Sequence, residues 1–470
     1  MKTQYLPLFA LLLGSCAVGP DHTKPDATDI TPAKWKWKSA NPRDNAPKGE
    51  WWRVFKDSEL NRLEGLAVAS NNDLRAAIAR IEQARAVLGA TAVAYIPDVS
   101  LGGLAKRERT SGNQPTPVPI AIPSSRINTF QIGANLSYEI DLWGRIRRSL
   151  ESARADAEGT VADYQNVLLS LTGEVAADYF QLTALDAELA VLRRTLESRE
   201  KSLGIIDQRF KAGVLPEVDA ARARSELATT HADVADVQRQ RGELVAVIAL
   251  LCGQPASTFS IKERISTASP PSIPAGIPSD VLERRPDIAS AERKVASRSA
   301  QIGVEKSAYF PAVRLTGDGG YLSKDTDSLF SAGSRVWSIG PSVSVPVTGF
   351  LVTKARVQRA RAAHEETIAG YRQAVLGAVK DVETSLTQIH YRGQQVAAQA
   401  DAVAAAARAT DLVRSRYEGG AVSFLELLDA ERTSLLLERQ AAQVKAQRLI
   451  ATVRLIKALG GSWGSGGSGK

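Results

Sequence analysis

The chain has 470 residues, with 59 Lys and Arg against 51 Asp and Glu, a formal net charge of +8, two Cys and one Met. Charges of both signs are interleaved along helical stretches, so they read as solvated helix faces and not as a nucleic-acid groove. No run of about 18 apolar residues is available for a transmembrane helix, and no Gly-Lys-Ser/Thr phosphate loop for an ATPase.

The N-terminus opens with Met1-Lys2, continues with the largely apolar run Leu6 to Leu13, and closes with Leu13-Gly-Ser-Cys16. About ten apolar residues are too few to span a bilayer, so residues 1–15 are predicted to be a signal peptide. A Leu three positions before a Cys, with small residues between, resembles the bacterial lipobox. It predicts cleavage before Cys16 and lipidation of Cys16 on its thiol and new amine. Ala17 follows, not Asp, a pattern that suggests passage to the outer membrane.

The rest of the chain says the same thing twice. Asp73-Leu-Arg-Ala-Ala-Ile, Gly89 and Ala94-Tyr-Ile-Pro97-Asp-Val99-Ser-Leu101 return as Asp287-Ile-Ala-Ser-Ala-Glu, Gly303 and Ala308-Tyr-Phe-Pro311-Ala-Val313-Arg-Leu315. Ala153-Arg-Ala with Glu158 and Tyr164 matches Ala360-Arg-Ala with Glu365 and Tyr371, and Arg209-Phe210 with Gly213 matches Arg416-Tyr417 with Gly420. A period of about 210 residues far exceeds the roughly 20–50 of solenoids; this is a duplicated domain. Each copy runs helix, strand, strand, long helical hairpin.

Strands are predicted at about 97–106 and 128–141, and again at about 311–322 and 336–347. Phe130, Ile132, Ala134, Leu136, Tyr138 and Ile140 share one face, against Gln131, Gly133, Asn135, Ser137 and Glu139 on the other. Trp337, Ile339, Pro341, Val343, Val345 and Val347 alternate likewise with small polar residues. Such alternation alone fits a half-buried sheet in water, but strands of roughly ten residues, apolar out and polar in, also mark an outer-membrane barrel, and secretion with a lipid anchor favours the barrel. Known single-chain barrels need at least about eight strands, and an open edge in lipid would cost several kcal/mol per unpaired backbone group. Several chains must therefore share one barrel. The stretches Thr110–Ser125 and Ser323–Ser334 read as its external turns.

Beyond the strands, Ala, Arg, Glu, Gln and Leu dominate from about Arg145 to Phe210 and from about Lys354 to Tyr417, with no proline in either run. Each would extend about 100 Å at 1.5 Å per residue. Gly213 with Pro216, and Gly419-Gly420, break them, and new helices follow at once. Two helical hairpins with tips near 213 and 420 result.

Catalysis finds no support. His22, His231, His364 and His390 lie far apart and none stands at metal spacing with another ligand. Met1 is the only methionine, which leaves the mature chain without thioether sites for soft metals. With Cys16 lipidated, Cys252 in its apolar run has no disulfide partner and reads as a small buried hydrophobe. No cofactor is expected, and the chain is predicted not to be an enzyme.

Several motifs then converge. Cys16-Ala-Val-Gly-Pro-Asp-His, Trp51-Trp52-Arg-Val-Phe55-Lys-Asp57, Glu139-Ile-Asp-Leu-Trp-Gly-Arg145, Ile273-Pro-Ala-Gly-Ile-Pro-Ser-Asp-Val-Leu-Glu-Arg-Arg-Pro-Asp-Ile288 and Ala458-Leu-Gly-Gly-Ser-Trp463 stand in one chain. Over essentially its whole mature length it resembles the outer membrane factor family of TolC/NodT-like efflux lipoproteins. The resemblance implies an α+β fold: a trimeric outer-membrane β-barrel with four strands per chain, continued by a long α-helical barrel into the periplasm, with a mixed equatorial belt. The expected organisation is an arm and equatorial segment at 16–60, repeat 1 at 61–252, a Pro-rich equatorial linker at 253–280, repeat 2 at 281–463 and a flexible tail at 464–470.

The resemblance also implies a function. The expectation is an exit duct of a tripartite efflux pump, passively conducting small molecules such as drugs. Its partners would be two further copies of the chain, a periplasmic adaptor (membrane fusion) protein, an inner-membrane transporter and outer-membrane lipid. The alternatives are a duct for type I protein secretion and a structural lipoprotein spacer. At the second tip the match places Leu425 at a constricting apolar ring and Asp429 at an acidic ring of a periplasmic gate, with Tyr417 and Arg432 as latch residues. The first tip departs from the second, with Pro216 where Ser423 stands, and offers Asp219 as latch partner. Substrate choice belongs to the partner pump.

Overall fold

The computed structural model describes residues 17–32, 34, 49–113, 123–271, 273 and 284–461. Residues 1–16 with Cys16, most of the Pro-rich linker motif after Ile273, and the tail from Ser462 lie outside them. The main elements in chain order are α1 (Ser58–Ser70), α2 (Asn72–Ala92), β1 (Asp98–Arg109), β2 (Arg126–Ile140), α3 (Arg145–Lys211), α4 (Glu217–Leu251), α5 (Pro286–Ser307), β3 (Ala312–Ser323), β4 (Arg335–Ser344), α6 (Phe350–Glu418) and α7 (Phe424–Ala458). The chain forms two compact units, and neither follows a sequence repeat. One takes in Met1–Pro25, Ile81–Thr160 and Ala291–Tyr371; the other Asp26–Arg80, Val161–Ser290 and Arg372–Lys470. Each unit therefore draws on both copies of the duplicated sequence.

The first unit holds a four-stranded antiparallel sheet in the order β1-β2-β3-β4. Its register carries the two-residue alternation across every strand. Val99 pairs with Leu136, Leu136 with Gly317 and Gly317 with Ile339; Ser100 pairs with Asn135, Asn135 with Asp318 and Asp318 with Ser338. Directly opposed residues share a face, so the apolar set of β2 from Phe130 to Ile140 continues through Val313, Leu315, Ile339 and Val343, with Arg107, Arg109 and Arg335 at its far end, while the other face is mainly polar. No strand residue is buried, and among the described residues nothing covers either face. β4 stops at Ser344 and not near 347 because Pro346 has no N–H to continue the ladder. β1 runs on to Arg109, whose neighbours still pair with β2. Gly320 is obligatory between β2 and β3, since a Cβ there would stand 2.2 Å from the Ile132 carbonyl oxygen.

Aromatic clusters mark both ends of the sheet. Trp143 stacks on Phe310 (centroids 4.6 Å apart) and Tyr309 meets Phe350 (5.1 Å) at one end; Tyr321 meets Phe330 (5.5 Å) at the other. From Phe310 to Tyr321, at about 3.3 Å per residue, the strand covers roughly 36 Å.

The Glu139–Arg145 motif turns β2 into α3. Asp141 accepts from the backbone N–H groups of Ile146 (3.1 Å) and Arg147 (3.0 Å), capping the helix, while Trp143 Nε1 donates to the Pro311 carbonyl (2.8 Å). The arm after Cys16 is fastened to the same corner. Val18 N–H donates to the Trp143 carbonyl (3.0 Å), and Asp21 pairs with the buried Arg148 (2.6 Å).

In the second unit, the Trp51–Asp57 motif builds a buried aromatic nest. Trp51, Trp52 and Phe55 are buried with Phe180 and Tyr179, and Phe55 and Phe180 lie 4.9 Å apart. Asp57 caps α1, accepting from Glu59 N–H (3.0 Å) and Leu60 N–H (3.2 Å), and takes the Tyr179 hydroxyl proton donor at 2.9 Å. Cys252 is fully buried, its thiol pushed up to about 11 chiefly by burial. Glu64 beside it is also fully buried, and burial drives its carboxyl well above the usual range.

Candidate functional site at the helical tips

Both hairpins of the second unit turn in the same way. Gly213 (φ 72°) and Gly420 (φ 74°) take the left-handed conformation. Val214 N–H then reaches back to the Arg209 carbonyl (2.9 Å), and Ala421 N–H to that of Arg416 (2.8 Å). This is a Schellman closure, which favours glycine because a Cβ is disfavoured at positive φ. The restarts differ. Ser423 caps α7 in a reciprocal capping box with Glu426, whereas Pro216 occupies the same position before α4 and has no side-chain cap.

The tips pack through Ile206, Ala220 and Ala223 against Phe424, Leu427 and Leu428. Burying 424, 427 and 428 turns the opposite face of α7 outward, and Leu425, Asp429 and Arg432 occupy it at helical spacing, all exposed. Leu425 is 47% exposed. Tyr417 packs on Phe424 (5.9 Å). Its hydroxyl is buried without a hydrogen bond of normal geometry, with Arg209 and Asp219 as charged neighbours, and burial raises its pKa. Asp219 itself lies 3.6 Å from Arg222 on its own helix.

Arg432 finds a partner that sequence reasoning did not name. Its Nε donates to Glu226 Oε1 at 3.0 Å, a bond that raises the Arg432 pKa. The other oxygen of Glu226 pairs with Arg199 Nη2 at 2.9 Å, and Arg199 Nη1 also donates to the Glu226 carbonyl (2.9 Å) and to Thr230 Oγ1 (2.5 Å). One carboxylate thus holds two guanidinium groups and ties α3, α4 and α7 together. Arg199 and Glu226 are buried, while Arg432 is exposed. A sequence signal did exist. With Gly213 set on Gly420, Glu226 faces Thr433 and Arg199 faces Ala406, so the triad sits where the copies diverge. Further ties run from Arg414 to Glu431 (3.0 Å) and from Arg439 to Glu188 (2.7 Å). Among the described residues, no three His, Cys, Asp or Glu side chains are grouped to hold a metal ion.

Comparison with known proteins decides the family. The family model described as outer membrane efflux protein matches residues 63–254 and 277–461. The chain belongs to this family. It is 31% identical to the pyoverdine export outer membrane protein OpmQ of Pseudomonas aeruginosa, over 99% of this chain and 98% of that one. It is 32% identical to the solvent efflux pump outer membrane protein SrpC of Pseudomonas putida, covering 98% of this chain and 99% of that relative. Among solved structures it is similar to the outer-membrane channel OprN, with a TM-score of 0.87 at 32% identity, covering 95% of this chain and 100% of that one. It is also similar to the CmeC outer membrane channel of Campylobacter jejuni, with a TM-score of 0.86 at 26% identity, over 95% of each chain. This efflux protein therefore acts at the outer membrane, and its fold joins a four-stranded sheet to long helical hairpins.

Proposed function

We propose that three copies of this efflux protein close one β-barrel, each contributing its four-stranded sheet, and that the trimer is the passive exit duct of a tripartite pump. The observation that carries this reading is the uncovered sheet, with a register-matched apolar face and a polar face and no buried strand residue. Lipid suits the first face, a water-filled lumen the second, and neighbouring copies the free edges of β1 and β4. The names of relatives, among them export and efflux-pump outer membrane proteins, favour small molecules as cargo. An inner-membrane transporter supplies the energy, and a periplasmic adaptor docks near the tips.

In the closed trimer the exposed face of α7 turns to the axis, with Leu425 as an apolar neck and Asp429 as an acidic ring. Two unit charges about 7 Å apart at an effective dielectric near 20 repel by roughly 2.4 kcal/mol. Contacts such as Arg432 to Glu226 must offset this repulsion. Planar-bilayer recording of the purified protein tests the reading: wild type gives a small, cation-selective conductance. Arg432→Ala with Tyr417→Phe gives a much larger one without adaptor or pump, Leu425→Ala widens it further, and Asp429→Ala reduces mainly the cation preference. Equal conductance of wild type and the latch variant would remove the gate from these residues, and no conductance at all would leave a spacer.

The anchor is part of the same proposal. Mass spectrometry of the mature N-terminus should find acylated Cys16, and Cys16→Ser should abolish acylation while the protein still assembles, because the barrel holds itself in lipid far more strongly than the lipid anchor does. An unmodified mature terminus at another residue would refute the lipobox.

A further inference from the structure

The corner that receives the N-terminal arm also carries an open groove of about 660 Å³, whose lining includes Val18, Lys306, Tyr309, Phe350, Lys354 and Arg361. It lies at the strand ends where β3 begins and β4 has ended, beside the Trp143–Phe310 and Tyr309–Phe350 pairs. Several cations near this end of the sheet are matched by acids: Arg145 and Arg314 by Glu139, Arg147 by Asp141, Arg148 by Asp21, Arg359 by Glu305. The groove differs. None of its lining residues is acidic, and among the described residues Lys306, Lys354 and Arg361 have no carboxylate within ion-pair distance.

We propose that this groove binds an anionic phospholipid of the membrane leaflet that meets the helix-side end of the sheet, the phosphate held by Lys306, Lys354 and Arg361 and the start of its acyl chains lying on Phe350 and Tyr309. The proposal rests on the reading of the sheet as a membrane barrel. Three unmatched cations around one cavity repel one another until an anion enters, and a phosphodiester suits both ammonium and guanidinium donors. A free anion would satisfy only that half of the site. Phe350 is 59% exposed, and aromatic rings at such a level have their apolar body covered by lipid. The lipid anchor expected at Cys16, two residues before Val18, could supply chains but no phosphate, so charge selects the phospholipid.

The test uses the full-length protein purified in detergent, with lipid retention counted by native mass spectrometry. Phosphatidylglycerol should be retained at least tenfold more tightly than phosphatidylcholine of the same chains. The triple variant Lys306→Gln, Lys354→Gln, Arg361→Gln should lose that preference, and Phe350→Ala should weaken retention of both lipids. Millimolar inorganic phosphate should displace little of the lipid; complete displacement would mean a free-anion site and overturn the proposal. Equal retention of the two lipids by wild type, or unchanged preference in the triple variant with its helix content and oligomeric size intact, would overturn it as well. Flotation with phosphatidylcholine vesicles separates the two levels. A wild type that fails to float refutes the membrane reading, whereas one that floats without lipid preference refutes only the groove.

Discussion

Replacing Glu226 with alanine is expected to loosen the helical tips by about 3–5 kcal/mol, the usual loss when one partner of a buried ion pair is removed. The cost comes from what remains. Arg199, with its side chain 7% exposed, would keep its charge after losing the carboxylate it pairs with, and Arg432 would lose its bond across to α4. Amide hydrogen exchange around Arg199, Glu226 and Arg432 should quicken by about 10²- to 4 × 10³-fold, since each 1.4 kcal/mol is a factor of ten, while exchange in the strands stays unchanged. The control is Arg199→Met with Glu226→Leu, which removes both buried charges and should approach wild-type protection. If Glu226→Ala alone exchanges as slowly as wild type, the triad contributes nothing to the tip. The gate makes a second readout available, because the same variant removes the partner of Arg432 and should conduct more than wild type.

How much of this was legible in the sequence follows from what each feature depends on. The strands, the hairpins and the duplication were, because alternation at period two, alanine-rich proline-free runs and the glycines at 213 and 420 are local signals. The N-terminal and Trp51–Asp57 motifs could be recognised, yet what they do could not be read: Asp57 capping α1 while receiving Tyr179, and Val18 bonded to Trp143, bring together residues more than 100 positions apart. The division into units that mix both copies was hidden for the same reason. At the tips, Leu425, Asp429 and Arg432 came from resemblance, and the helix places all three on one exposed face. Glu226 and Arg199 escaped notice because a charged residue in a polar helix looks solvated until a neighbouring helix covers it.

The sheet gives the sharpest test of the membrane reading, because its register predicts costs that depend on both face and depth. Leu136 and Ile339 both pair with Gly317, midway between the aromatic clusters. Arginine at either should destabilise the barrel by about 2–4 kcal/mol per chain, as charges on the lipid face do at the bilayer midplane. Val343 shares their face but lies one residue from the end of β4, level with Val313 and close to Phe310. There the guanidinium can reach the interface, and the cost should fall to about 0–1 kcal/mol. Asn135, which pairs with Asp318 on the polar face, should accept arginine with little change, since the new charge meets water and a carboxylate. Heat-induced dissociation of the assembled protein in detergent and in lipid vesicles measures the series. The expected order of damage is Leu136 and Ile339 first, Val343 well below them, and Asn135 last, with the spread larger in vesicles than in detergent. A water-exposed sheet would respond differently: its apolar face would tolerate arginine at Ile339 as well as at Val343, and depth would have no effect. Such a flat series would refute the barrel even if the tips behave as proposed.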